Sequence, residues 1–450
     1  MRRTRSAAAV IAALFLAARQ GLLAAPGPLT LPDAVRVAFE RDPALAAARA
    51  EADAWSADLD AARAARWPRL LTAAEWHRTD GQVAVFGDKL MAGEFTADDF
   101  ALDALNDPEA LNHASLGVLV QAPLYTAGRI RHAIDAADES SLASRAHLRA
   151  AAIDLVEEVT RAYDGALLAQ ATVGIARDAL VNARGHERAA AARYEEGSAL
   201  KSDPLRAEVH RLARERDLER ADAGLEIVRS RLRVLLGLAP GDAILLADAE
   251  PLAPAEPLTG LQEWLDASAA AGGRPEIEAA RRAGAAAEAQ DRAAAAARGP
   301  EVDGIARYDV HANGLDGGEG SYFAGLQIRW AAFDRVRSSR IDAARARAQA
   351  AEAWSRVAED RARLDVEQAW RDADVADRNA AIARQGLAAA EEARRIAAER
   401  YAGGLLPLTD LLDAETALLE TRLAEIGARF DAAVSRVRLS RASGRLEVPR

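Results

Sequence analysis

The chain of 450 residues has no cysteine, and aromatic residues make up only 5% of it. Without cysteine there can be no disulfide framework and no lipid-modified N-terminal cysteine, so stability has to come from packing or assembly. With so few rings and alanine dominating whole segments, the composition disfavours a compact mixed core and favours long helices. Positive charge is also in deficit: the formal charge of −11 argues against a nucleic-acid partner.

Long apolar runs are scarce as well. Arg2, Arg3 and Arg5, the run Ala7 to Ala18, and small residues at Ala24 and Ala25 read as an export signal over residues 1–25. The alternative is a membrane anchor, but this run falls short of the roughly 20 residues a spanning helix needs. Removing the segment takes four arginines with it and moves the charge from −11 to −15, so the expected product is a strongly acidic exported protein.

Catalytic patterns are missing too. His77, His113, His132, His147, His186, His210 and His311 form no metal-ligand spacing and read as surface residues. There is no GxSxG motif and no nucleophile with an evident base. The glycine-rich stretch His311 to Gly320 precedes a strand and lacks lysine, so it reads as a loop tip and not a phosphate cradle. The expectation is a protein that is no enzyme and needs no cofactor or metal.

What is present is said twice. "RYEEGSALKSDPLRAE" (Arg193 to Glu208) returns as "RYAGGLLPLTDLLDAE" (Arg400 to Glu415), 207 residues later. Arg41 to Pro68 aligns with Gly273 to Pro300, Tyr125 stands opposite Phe333, and Tyr163 opposite Trp370. The halves are therefore read as a first structural repeat, 26–238, a Pro-rich equatorial linker, 239–260, and a second repeat, 261–450. Each opens with an Ala-rich helix, Leu31 to Arg66 and Leu261 to Arg298, that stops before a proline.

A period of two follows. Leu70, Thr72, Ala74 and Trp76 share one side of an extended segment, as do Leu116, Val118, Val120 and Ala122. In the second half Val302, Gly304, Ala306, Tyr308 and Val310 do so, then Tyr322, Ala324, Leu326, Ile328 and Trp330. Four strands, in β-hairpins 69–125 and 300–333, match the alternating signature of a membrane barrel wall; two ordinary hairpins on a soluble core remain the alternative. The loop in the first hairpin is long and acidic, that in the second short and glycine-rich.

Two helical hairpins come next, 126–237 and 334–443. Their first arms of some 67 residues span roughly 100 Å at 1.5 Å per residue, against about 45 Å for a sphere of this mass, and so imply a bundle or tube. Gly197 and Gly404 are placed to end these arms, and Asp203 before Pro204, with Asp410 in the matching position, to cap the returning helices. On the plain reading Tyr194 and Tyr401 pack and the aspartates cap. The other reading needs assembly. Four strands are too few to close a barrel and would leave backbone groups unpaired in lipid, whereas three copies supply twelve and bring Asp203, Asp410 and Asp413 around one axis.

The segment Leu29 to Ala54, the stretches Arg274 to Gln290 and Gln121 to Arg129, and the two tyrosine-glycine phrases together resemble the TolC-like outer-membrane efflux family over nearly the whole mature chain. The resemblance implies a mainly α chain with a small β part. It further implies a homotrimer whose twelve-stranded barrel, in outer-membrane lipid, continues into an α-helical periplasmic tunnel. The implied role is the exit duct of a tripartite efflux or type I secretion system in a Gram-negative bacterium, docked on a periplasmic adaptor protein and an inner-membrane transporter. By this likeness Asp410 and Asp413 match aspartates at the tunnel constriction and Asp203 an acidic tip position. Tyr401 matches a tyrosine that helps hold the tip shut, and the tips at Tyr194, Gly197 and Gly404 are where an adaptor would dock. Leu406 stands where some members carry an arginine, so no salt-bridged latch is implied there. The competing class is a soluble periplasmic coiled-coil scaffold or adaptor protein.

Overall fold

The computed structural model describes residues 28–247, 257–269, 274–314 and 318–446. The expected export signal and the middle of the Pro-rich linker lie outside these residues. The chain divides into two compact units. One comprises Met1–Arg49, His147–Glu276 and Glu359–Arg450, the other Ala50–Ala146 and Ile277–Ala358. Each combines pieces of both sequence halves.

In chain order the elements are α1 (Leu31–Arg41), α2 (Pro43–Ala64), β1 (Arg69–Thr79), α3 (Gln82–Met91), a 3₁₀ turn (Ala97–Phe100), α4 (Leu102–Asn106), β2 (Leu111–Tyr125), α5 (Arg129–Glu195) and α6 (Ser202–Leu235). Then come α7 (Leu261–Ala269), α8 (Pro275–Ala296), β3 (Glu301–Ala312), β4 (Glu319–Arg329), α9 (Arg335–Ala402) and α10 (Leu408–Ala442). The opening helix expected over Leu31 to Arg66 is broken. Asp42 before Pro43 takes an extended conformation, as pre-proline residues prefer, and its carboxylate accepts from the Leu45 amide at 2.6 Å to start α2.

The second unit holds a four-stranded antiparallel sheet in the order β1-β2-β3-β4. Its central pair, β2 with β3, joins the two sequence halves. The register brings Leu70 opposite Val120, Val120 opposite Ala306 and Ala306 opposite Ala324; one step along, Thr72, Val118, Tyr308 and Tyr322 form the next row. Every apolar stripe of the four strands therefore lies on one face. The opposite face collects Glu75, His77, His113, Gln121, Arg307, Asp309, His311 and Glu319. The apolar face is bare in the single chain: Trp76 is 69% exposed, Tyr322 86% and Ile328 70%. Among the described residues β1 and β4 have no further strand partner.

The first unit is helical, and much of its interior is alanine, which lets helix backbones approach closely. Its largest cluster packs Ala34, Val35 and Ala38 of α1 against Val156, Val159, Tyr163 and Leu167 of α5 and Leu232 of α6. Tyr163 is fully buried and its hydroxyl donates to the Leu29 carbonyl at 2.8 Å. Trp370, its counterpart in the second half, donates its indole N–H to the Thr259 carbonyl at 2.9 Å. Each repeat thus uses the same position to tie down the segment that precedes its opening helix. Leu29 also bridges in parallel to Leu246, laying the start of the linker beside the start of the first repeat. No described helix is long and apolar enough to cross a membrane.

Candidate functional site

The two repeated phrases build two helical turns of the same design. At the end of α5 the amides of Gly197 and Ser198 reach back to the carbonyls of Tyr194 and Arg193; at the end of α9 those of Gly404 and Leu405 reach back to Tyr401 and Arg400. This double closure needs a left-handed residue, and Gly197 and Gly404 have φ of +74° and +73°. The returning helices begin earlier than expected. α6 starts at Ser202 and α10 at Leu408, so Asp203 and Asp410 sit inside the first turns and do not act as N-caps. There they still face the positive end of the helix dipole.

The turns touch. Arg193, on the first tip, places its guanidinium carbon 4.2 Å over the Tyr401 ring and donates to the carbonyls of Tyr401 and Ala402 at 3.0 and 3.2 Å. A cation thus meets an aromatic face and the negative end of α9 together. Beneath it, Ala190, Ala207, Ala397, Leu408, Leu411 and Leu412 form a small core against which Tyr401 and Leu406 pack. Asp410 and Asp413 are exposed and Asp203 half-buried, and among the described residues none of the three makes an ion pair. Tyr194 is exposed.

About three helical turns from the tips a polar layer crosses the bundle. Glu415 on α10 is buried; its Oε1 is 3.1 Å from His186 Nε2 on α5 and accepts from Arg394 Nε on α9 at 2.9 Å. Burial alone would raise this carboxyl, but the His186 hydrogen bond and the Arg394 charge outweigh it and hold its pKa below the ordinary value. His210 on α6 faces the same layer with both ring nitrogens buried and unpartnered among the described residues. Burial, with Arg214 and His186 nearby, pushes its pKa down, against the weaker pull of Glu415 and Asp217.

The family model described as outer membrane efflux protein matches residues 34–238 and 267–445. The chain belongs to the outer membrane efflux protein family. No curated protein matches it significantly. Among solved structures it resembles the outer membrane protein VceC from Vibrio cholerae at 23% identity and a TM-score of 0.76, covering 92% of this chain and 96% of that one. The open state of the Neisseria gonorrhoeae MtrE outer membrane channel is similar at 22% identity and 0.74, covering 92% and 88%. The Campylobacter jejuni CmeC outer membrane channel is similar at 16% identity and 0.76, covering 93% and 87%. The mainly helical fold with its small sheet is that of these outer-membrane channels.

For this outer membrane efflux protein, then, the structure draws Tyr401, Gly404, Asp410 and Asp413 into one tip and Tyr194, Gly197 and Asp203 into the other. Sequence reasoning passed over Arg193 and Glu415, although they open and close the repeated phrases. Their signal was position alone. The equivalent Glu208 is exposed, so the phrase by itself does not say which copy holds the buried carboxylate.

Proposed function

We propose that this family member is one third of a homotrimeric exit duct for efflux or type I secretion, in which no bond is made or broken. The observation that carries the reading is the sheet: one face is apolar along all four strands in register, the other carries the charged and histidine side chains among a few apolar ones such as Leu71, Leu119 and Phe323, and both edges are open. A backbone edge in lipid must be paired, and pairing β4 of one copy with β1 of the next closes twelve strands without any new element. The apolar face then meets outer-membrane lipid and the polar face lines the pore.

In this reading the helical tips form the periplasmic end and the gate. Unpaired Asp203, Asp410 and Asp413 would bring nine carboxylates around the axis, favouring cations. Arg193 holds Tyr401 within one chain, so closure at rest does not require the arginine that Leu406 replaces. A periplasmic adaptor protein engaging Tyr194, Gly197 and Gly404 would loosen that hold, and an inner-membrane transporter would supply the energy.

The test is reconstitution of the full chain. Trimers that resist carbonate extraction from outer membranes and form discrete conductances in planar bilayers are expected. A monomer released by carbonate and electrically silent would instead support a soluble periplasmic scaffold.

A further inference from the structure

Residues between β1 and β2 fold into a unit of their own. Phe95 packs edge-on against Phe86 and Phe100, with ring centres 4.5 and 5.1 Å apart. Lys89 Nζ pairs with Asp99 at 2.7 Å, and Asp99 also accepts from the amide and hydroxyl of Thr96. Gln82 reaches across to the Asn106 carbonyl at 3.0 Å. The corresponding β3–β4 connection is only a few residues long.

This insert is seated on one face of the sheet. Asp88 on α3, 4% exposed, lies 2.9 Å from His77 Nε2 on β1 and 3.8 Å from His113 Nδ1 on β2. Asn313, just past β3, joins His113 Nδ1 at 2.8 Å to Glu94 of the insert at 3.1 Å, and His311 Nδ1 is 3.2 Å from His113 Nε2. At the far edge Gly93 presses on β4, where a Cβ would come within 2.6 Å of the Glu319 side chain. His77, His113, His311 and Glu319 all belong to the polar face. A buried carboxylate between imidazoles is costly to form unless both sides are in place, so this seat selects one position.

We propose that the insert is a second constriction of the duct, a folded ledge projecting over the pore at the end of the sheet away from the helices. The inference rests on the closed-barrel reading above, in which the polar face is the lumen. Three ledges, one per copy, would narrow that mouth, and Asp88 would be the residue that holds each in place, acting through His77 and His113.

Uncharged polyethylene glycols of graded size, added to either side of full-length channels in planar bilayers, test this. Two variants are compared with wild type: replacement of residues 81–109 by a turn copied from the β3–β4 connection, and the double change Asp88→Ala with Glu94→Ala. The expected result is a larger size cut-off on the insert side only, with a conductance increase of about twofold for the replacement. The double change should add current noise at unchanged tip-side cut-off. If the replacement does not insert, the double change decides alone. A wild-type cut-off and noise level in the channels that form would overturn the ledge. Absence of channels from the wild-type chain would instead overturn the barrel on which it depends.

Discussion

Arg193 and Tyr401 come from different halves of the chain, yet the guanidinium of one lies 4.2 Å over the ring of the other. The same arginine also donates to the carbonyls of Tyr401 and Ala402, so it ties the end of α9 to the first tip. Arg193→Ala removes both contacts. Together they are worth about 1–2 kcal/mol at a half-exposed site, and open probability in bilayers should rise accordingly. Arg193→Lys keeps the charge but loses the planar fork and should rescue little. An unchanged open probability for both would remove Arg193 from the gate.

The unpaired tip carboxylates predict selectivity. Asp410→Ala combined with Asp413→Ala should shift the reversal potential in a salt gradient towards lower cation preference and weaken block by divalent cations. If both measurements stay at wild-type values, these residues serve only their helix ends.

Glu415 gathers α5, α9 and α10 through His186 and Arg394. Glu415→Ala leaves a half-buried cation and imidazole without their acceptor and should cost about 1.5–3 kcal/mol, read as a lower denaturant midpoint. Because the folded state holds this carboxyl below its ordinary value of 4.5, its stabilisation is complete above that pH and is lost as pH falls through the folded value.

His210 shifts the acid sensitivity to milder pH. Its folded-state pKa is below the ordinary 6.5, so the unfolded chain takes up a proton first as pH drops. Stability should therefore decline once pH falls below about 6.5, and His210→Gln should flatten that part of the curve. Thermal unfolding between pH 5 and 7.5 measures it; identical slopes for the two proteins would exclude His210 as the source.

Strand β4 offers an internal control for the lipid-facing side. Ala324 lies on the apolar face and Ser321 on the polar one. Arginine at a lipid-facing position costs about 2–4 kcal/mol near the bilayer centre. Ala324→Arg should reduce the heat-stable oligomer in outer-membrane fractions while Ser321→Arg leaves it intact. Equal behaviour would mean that the two faces do not see different solvents.

Much of this architecture is legible in the amino-acid sequence. The two-residue alternation of Leu70 to Trp76 and Tyr322 to Trp330 marked the apolar side of each strand, because successive side chains of a regular strand point to opposite faces. The glycines of the repeated phrase marked the two tips, because only a residue without Cβ takes φ near +74° at no cost. The helices start at Ser202 and Leu408, before the aspartates expected to cap them, since an aspartate one or two residues inside a helix gains from the dipole nearly as much as one at the cap. The seven histidines read as unrelated surface residues, yet His77, His113 and His311 form a ladder on the polar face and His186 and His210 share a buried layer. Spacing along the chain carries no trace of residues brought together by strand register or by four helices meeting side by side.

By itself the sequence determined the local vocabulary of this protein: a duplicated order of helix, alternating strands, long helical arms and glycine turns. Periodicity and backbone sterics act over a few residues and need nothing else. The tertiary structure alone decided that β2 pairs with β3 across the two halves, that Arg193 closes on Tyr401, that Glu415 and not Glu208 is the buried carboxylate, and that the long insert lies on the polar face. Most of these are choices between partners far apart in the chain, settled by packing that brings charges to their counterparts and pairs the backbones of neighbouring strands.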